Sequence, residues 1–296
     1  MIYRVRHLTA YSYDTPVASA TLALRVTPRD GAAQRTIAHK VEVSPAPVSV
    51  EFERDFFGNA VNVVKIEDAH TELSIDATAE VEVSYGAPPP GPGTVWQEVA
   101  DTALHSHDMS PQAPAHFMFS SPRIQLSPDV TRYARESFAR GRGVIDGARD
   151  LMTRIRREFE YEPESTEIWT PLQQAFAARR GVCQDFAHIM IAGLRGLGVP
   201  AAYVSGYLRT VPPPGKERLE GADATHAWVS VWCGLEHGWL GFDPTNAIDT
   251  GNDHIELAIG RDFSDVSPVY GVFVGSGANE LSVEVDVIPL PREKAA

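Results

Sequence analysis

Cys183 stands in GVCQDFAH, residues 181–188, directly after a Gly-Val pair and at the head of a long apolar stretch. If a helix begins there, its free N–H groups and partial positive charge favour a thiolate, the form in which cysteine is a nucleophile. The same position also suits a small buried hydrophobe, which cysteine often is. Cys233, in VSVWC, sits among apolar neighbours with no polar context and reads as structural. A thiolate nucleophile needs an imidazole within hydrogen-bond reach, and that imidazole needs an acceptor to orient it. Ten histidines compete for the role. His188 is nearest, but five residues along a helix is about 140° away in projection, so its side chain diverges from Cys183. His226 enters the alternating run THAWVSV, where a strand would hold the ring firmly. Asp243 closes the next apolar run, GWLGFDPTN. A hairpin between Trp232 and Trp239 would bring His226 and Asp243 onto paired strands, where a carboxylate fixes the imidazole's tautomer. Taken singly, a strand histidine is usually structural and Asp-Pro commonly starts a turn. His105, His107 and His116 suggest a metal only weakly, since no cysteine or acidic pair stands at ligand spacing beside them. No metal and no cofactor are expected.

The elements that must position these residues follow from periodicity and caps. Residues 1–87 alternate apolar and polar in short runs, Tyr3-Val5-His7, Leu22-Leu24-Val26, Leu73-Ile75 and Val81-Val83 among them, with Pro/Gly/Asp turns between; this predicts a β-sandwich-like domain. APPPGPG, residues 87–93, reads as a linker, bounded at 88–94. Residues 95–290 would form the second domain and 291–296 a tail. The stretch to 126 looks irregular. Ser127-Pro128 predicts a helix start. Ile145, Ala148, Met152, Ile155 and Phe159 mark a second helix. Thr170-Pro171-Leu172-Gln173 reads as a capping box opening a third helix, closed by a left-handed Gly181. A buried helix runs from about Cys183 to Leu197, stopped by Gly198 and Pro200. Strands are predicted at 201–209, 225–233, 238–243, 255–260, 269–274 and 281–288.

Composition narrows the function classes. The chain has 26 Lys+Arg against 39 Asp+Glu, a net charge of −13, which disfavours nucleic acid and acidic membrane surfaces as partners. No apolar run is long enough to span a bilayer. Two cysteines do not make a disulfide framework, so a cytoplasmic location is the default expectation. No D-x-D-x-D-G loop marks a calcium site.

The ordered set of a cysteine at a helix start, a histidine on a strand and an aspartate ending the next strand is more specific than its parts. With GVCQDFAH, RGLGVPAAYVSGYL, THAWVSV and GWLGFDPTN, the chain resembles the transglutaminase-like superfamily. Within it, the chain resembles the bacterial group of transglutaminase-like cysteine proteases. YRVRHLTAYSYDTPV and HIELAIGRDFSDVSPVYGVF extend the likeness to nearly the whole chain. The resemblance implies an α+β fold: a β-sandwich-like N-terminal domain, then a papain-like transglutaminase core with helices packed on an antiparallel sheet. It implies Cys183 as nucleophile, His226 as general base and then acid, and Asp243 as orienter, independent of calcium. The Cys183 N–H is the natural first oxyanion donor. A second is often an upstream side chain in this superfamily, which makes Trp169 and Tyr161 candidates. Gln184 is a cleft candidate, although a papain-like oxyanion glutamine precedes its cysteine. Asp185 is expected to brace the helix start and to point away from sulfur. His188, Asp185, Arg261 and Asp265 are candidates for substrate contact, with an internal turn ion pair as the plainer reading of the last two. The expected activity is cysteine-dependent acyl transfer on a peptide or protein substrate, by hydrolysis of an amide, peptide or isopeptide bond. The alternatives are transfer to an amine and a non-catalytic protein-binding module. The oligomeric state is not legible.

Overall fold

The structure is a computed structural model that describes residues 1–163, 165–210 and 224–291; all of the expected tail except Pro291 lies outside them. Six strands come first: β1 (Ile2–Val17), β2 (Ser19–Leu24), β3 (Gln34–Ser44), β4 (Ser49–Arg54), β5 (Ala60–Ile66) and β6 (His70–Val83). Along β1, Tyr3, Val5, His7 and Thr9 are buried while Arg4 and Arg6 face solvent, the period-2 pattern of a strand wet on one side. The register of β1 on β6 breaks between Ser12 and Val17. Beyond the break, Tyr13 and Val17 join Leu22, Leu24, Ile66, Leu73 and Ile75 in the core of a sandwich. Before it, Tyr3 and Val5 pack with Val81 and Val83 into the hydrophobic core of the second half of the chain. One strand thus serves two cores.

The helical segment contains α1 (Trp96–Leu104), α2 (Pro128–Arg135), α3 (Val144–Glu158), the short β7 (Glu160–Tyr161), α4 (Leu172–Ala178), β8 (Arg180–Gly181) and α5 (Cys183–Gly196). Helix α1 lies in the stretch expected to be irregular; Trp96, Val99 and Ala103 form its buried stripe. Helix α4 starts behind Pro171 with no side-chain cap, because Thr170 Oγ1 accepts instead from the Glu167 N–H at 2.9 Å. Its left-handed residue is Arg179, φ 55°, and not Gly181. The Arg179 guanidinium lies 4.5–4.8 Å from the ring centroids of Tyr133, Phe159 and Phe176, and this cation–π seat offsets the backbone cost. Gly181 instead pairs in parallel with Tyr161.

Strands β9 (Ala201–Leu208), β10 (Ala224–Trp232), β11 (Trp239–Asp243), β12 (Ile248–Asp249) and β13 (His254–Gly260) form an antiparallel sheet in the order β12-β11-β10-β9-β13. Helix α5 packs on β9 and β10. Arg195, buried near the end of α5, donates to the carbonyls of Ala201, Phe119 and Arg261, which ties the helix to its surroundings. After the single-turn α6 (Phe263–Val266) come β14 (Val269–Val274) and β15 (Asn279–Leu290). Sequence reading put both strands in the 95–290 core. They pair instead with the N-terminal strands, in sheets β14-β2-β5-β4 and β15-β1-β6-β3. Alternation marks a strand but not the sheet it joins.

The two halves are fastened by amide side chains that imitate a strand. Asn59 donates to the Ile259 carbonyl at 2.8 Å and accepts from its N–H at 2.9 Å. Gln34 does the same at Glu256, at 2.9 and 2.8 Å. The outer edge of β13 is thereby capped and its backbone groups satisfied. The architecture is the expected α+β one, a β-sandwich-like domain against a papain-like transglutaminase core.

Candidate active site

Cys183 is the first residue of α5, half-buried, at the end of the helix where N–H groups lack intrahelical acceptors. Asp185, at the third helical position, folds back to accept from the Val182 N–H at 2.9 Å and from Thr166 Oγ1 at 2.6 Å. Burial pushes its carboxyl above the usual range, against these two hydrogen bonds. The glycine at 181 is required by this brace, since a Cβ there would come within 2.6 Å of Asp185 Oδ2. Asp185 is buried, braces the start of α5 and is not among the residues lining the cavity beside His226.

His226 and Asp243 meet through the β10–β11 hairpin, in which Trp232 pairs with Trp239 and Val229 with Phe242. His226 Nε2 lies 2.8 Å from Asp243 Oδ2. Cys183 is close enough to act on the same imidazole and raise its pKa; with Nε2 engaged by the carboxylate, Nδ1 is the nitrogen left for sulfur. Burial lowers the imidazole pKa, but the hydrogen bonds and charges of Asp243 and Cys183 outweigh it and raise the value from 6.5 to about 10. Asp243 is fully buried. Burial alone would raise its pKa, yet donors from His226, His254 and Asn246 hold it well below the usual carboxylate range. Its Oδ1 accepts the N–H groups of Thr245 at 2.9 Å and Asn246 at 3.2 Å, the local turn chemistry of Asp-Pro-Thr-Asn.

Two members of this cluster escape sequence reasoning. Asn246 Nδ2 donates to Asp243 Oδ2 at 2.7 Å and lies 3.4 Å from His226 Nε2. His254, at the start of β13 and 1% exposed, places Nε2 3.4 Å from the same oxygen. The signal for Asn246 was its position behind Asp-Pro. For His254 there was none beyond a histidine heading an apolar run, because the strand that brings it in is the far edge of the sheet. Trp228, fully buried, packs edge-on to His254 with centroids 5.1 Å apart and tilted over His226 at 6.1 Å.

Beside His226 lies a cavity of about 270 Å³ between the two halves of the chain. Its walls include Gln184, Tyr203 and Phe263 from the core, His7, Thr9 and Tyr11 from β1, and Leu281 and Val283 from β15. Among the described residues that line it, none is Asp, Glu, Lys or Arg. Burial pushes the His7 pKa down to about 4, so that ring is neutral; it bonds Tyr207 Oη at 2.9 Å and Thr9 Oγ1 at 3.1 Å.

The remaining candidates fall around or away from this cleft. Gln184 lines it, with Nε2 donating to the Ile168 carbonyl at 3.3 Å. Tyr161 is 46% exposed; burial first and the Cys183 charge second raise its phenol pKa. Trp169 is 70% exposed and carries the Arg123 guanidinium 4.1 Å from its ring centroid. Neither aromatic is a core residue. His188 is buried against Tyr203, accepts from the Phe263 N–H at 3.3 Å, is pushed down to about 4, chiefly by burial, and is not among the residues lining the cavity beside His226. Arg261 and Asp265 form an ion pair at 2.9 Å within their own turn and line a different cavity, beside Phe56 and His116. Cys233 is buried and its thiol is pushed up to about 12 by burial. Among the described residues no three His, Cys, Asp or Glu side chains are grouped to hold a metal, and no helix is long and apolar enough to cross a membrane.

Comparison with known proteins matches this arrangement to a family. Residues 3–82 match the bacterial transglutaminase-like N-terminal region and residues 131–244 the transglutaminase-like superfamily core. An uncharacterized protein of Mycobacterium tuberculosis is 39% identical over 97% of this chain and 92% of its own length. A protein-glutamine gamma-glutamyltransferase of Pseudomonas aeruginosa is 34% identical over 43% of this chain and 19% of its own. A solved structure described as "a Putative Cysteine Protease from Cytophaga hutchinsonii" shares the fold with a TM-score of 0.76 at 23% identity, covering 99% of this chain and 92% of that one. With both halves of the chain accounted for, it belongs to the transglutaminase-like superfamily and carries that superfamily's bacterial N-terminal region ahead of the core.

Proposed function

We propose that the chain is a cysteine-dependent acyl-transfer enzyme in which Cys183 is the nucleophile, His226 the acid–base and Asp243 its orienter. The observation that carries this reading is an imidazole hydrogen-bonded to a fully buried carboxylate and raised in pKa by both that carboxylate and the thiol at the start of α5. Cys183 Sγ attacks the carbonyl carbon of an amide, and the oxygen takes up the negative charge at the start of α5, where the Cys183 N–H is a donor. His226 then gives its proton to the departing amine nitrogen, the C–N bond breaks, and a thioester remains. Water attacks the thioester, His226 takes one proton, and the carboxylic acid leaves as sulfur is regained. The protein or peptide substrate enters the cleft between β1, β15 and the core. Apart from His226, no charged side chain is among its described lining residues, which suits an uncharged acyl side chain.

Transfer to an amine in place of water is the second reading. It is favoured by the likeness to the Pseudomonas aeruginosa gamma-glutamyltransferase. The test is alkylation of the native protein with iodoacetamide together with a screen of peptide amides, with and without a primary amine. Cys183 should react ahead of Cys233, and turnover should vanish in Cys183→Ala and His226→Ala. Equal labelling of both thiols, or turnover that survives Cys183→Ala, contradicts the reading and leaves a binding module.

A further inference from the structure

The carboxylate that orients His226 is itself held from behind. Asp243 Oδ2 faces three side-chain donors: His226 Nε2 at 2.8 Å, Asn246 Nδ2 at 2.7 Å and His254 Nε2 at 3.4 Å. His254 has one available protonation pattern for this. Its Nδ1 accepts the Gly251 N–H at 3.2 Å, so in the neutral ring the proton sits on Nε2 and points at Asp243. The His254 backbone N–H in turn donates to the Gly251 carbonyl at 2.9 Å, closing a tight loop that sets where the ring begins. The edge of Trp228 fixes the plane of the ring. The whole arrangement is shut off from water, with His254 and Asp243 side chains 2% and 0% exposed.

We infer that His254 is a positioning residue of the candidate catalytic site. As the neutral Nε2–H tautomer it holds the Asp243 carboxylate in the rotamer that presents Oδ2 to His226, and it touches neither thiol nor substrate. A buried carboxylate with a missing donor turns toward whatever donors remain, and here the Thr245 and Asn246 N–H groups compete with His226 for it. Loss of His254 therefore loosens His226 without removing any reacting atom. The inference rests on the catalytic reading proposed above, but its spectroscopic part does not require turnover.

The experiment combines imidazole ¹⁵N–¹H long-range NMR with iodoacetamide kinetics at Cys183 in the wild type, His254→Gln and His254→Leu. Glutamine retains a donor near the Nε2 position, and leucine retains only bulk. The wild-type spectrum should show His254 as the Nε2–H tautomer. His254→Leu should slow Cys183 alkylation about tenfold, the loss of one hydrogen bond to a buried charge, while His254→Gln stays within about threefold. An Nδ1–H tautomer overturns the inference. So does wild-type alkylation in a His254→Leu protein that melts normally, or a His254→Gln protein as slow as His254→Leu. Should His254→Leu fail to fold, the tautomer and His254→Gln decide. If Cys183 proves unreactive in the wild type, the enzyme reading falls and the tautomer alone tests the contact.

Discussion

Asp243→Asn probes the site with the smallest change in shape. The carboxylate is fully buried and accepts from the Thr245 and Asn246 N–H groups, Asn246 Nδ2, His226 and His254. The introduced carboxamide can still accept the two backbone donors, but its NH₂ then confronts three side-chain donors, and the negative charge is gone. The size of the effect follows from His226. Burial opposes its charged form, yet its pKa rises from 6.5 to about 10, which corresponds to roughly 5 kcal/mol of preference for the imidazolium. Cys183 supplies part of that rise, and loss of the orienting carboxylate leaves the imidazole in the wrong tautomer, so kcat should fall by about 10²-fold or more. Stability carries a matching signature. A histidine whose pKa is raised on folding stabilises fully below its unfolded value near 6.5 and loses that contribution as pH climbs to about 10. Asp243, held low, stabilises above its unfolded value near 3.8 and loses its share under acid. The wild type should therefore melt progressively earlier between about pH 6.5 and 10, and Asp243→Asn should be less stable with a flatter slope across that window. Calorimetry over pH and turnover of a peptide amide are the assays. A folded Asp243→Asn protein with kcat within tenfold of wild type and an unchanged alkaline slope would refute the reasoning.

Three further outcomes follow from the geometry. Asn59→Ala leaves the N–H and carbonyl of Ile259 without their partner at the buried junction and should cost about 2–4 kcal/mol in urea unfolding, far more than alanine at an exposed strand residue such as Glu51. Gly181→Ala puts a methyl within 2.6 Å of Asp185 Oδ2 and should displace the brace on Val182, lowering the melting temperature and slowing Cys183 alkylation together. Peptide amides with uncharged acyl side chains should exceed those with Lys, Arg, Asp or Glu at that position in kcat/KM, since among the described cleft residues the charge is that of His226, already paired with Asp243.

Much of the architecture is written in local patterns. Alternation in the first strand, the Ser127-Pro128 start of α2, the periodic stripe of α3 and the apolar run of α5 each reflect one element's own burial, and one-dimensional periodicity reads burial well. The approach of His226 to Asp243 follows from a hairpin whose turn is short enough to see, Trp232 opposite Trp239. What escapes is set by partners distant in sequence. Strands β14 and β15 alternate like any others, and only pairing with β2 and β1 places them in the sandwich. Arg179 takes a conformation that glycine ordinarily takes because three aromatic rings, Tyr133 of α2, Phe159 just after α3 and Phe176 of α4, receive its side chain. His254 reaches Asp243 across a five-stranded sheet, a contact no spacing rule encodes. The exposure of Trp169 likewise depends on the loop before α4, and that of Tyr161 on the two-residue strand β7, too short to show a period.

The central claim is that Cys183 carries the acyl group. Acid quenching during turnover of a peptide amide, followed by intact-mass and peptide mapping, tests it directly. The account predicts a hydroxylamine-labile adduct on Cys183 with the mass of the acyl group, accumulating in His226→Ala only with an activated ester and absent from Cys183→Ala. Product formation by Cys183→Ala, or an adduct on Cys233 in its place, would contradict it.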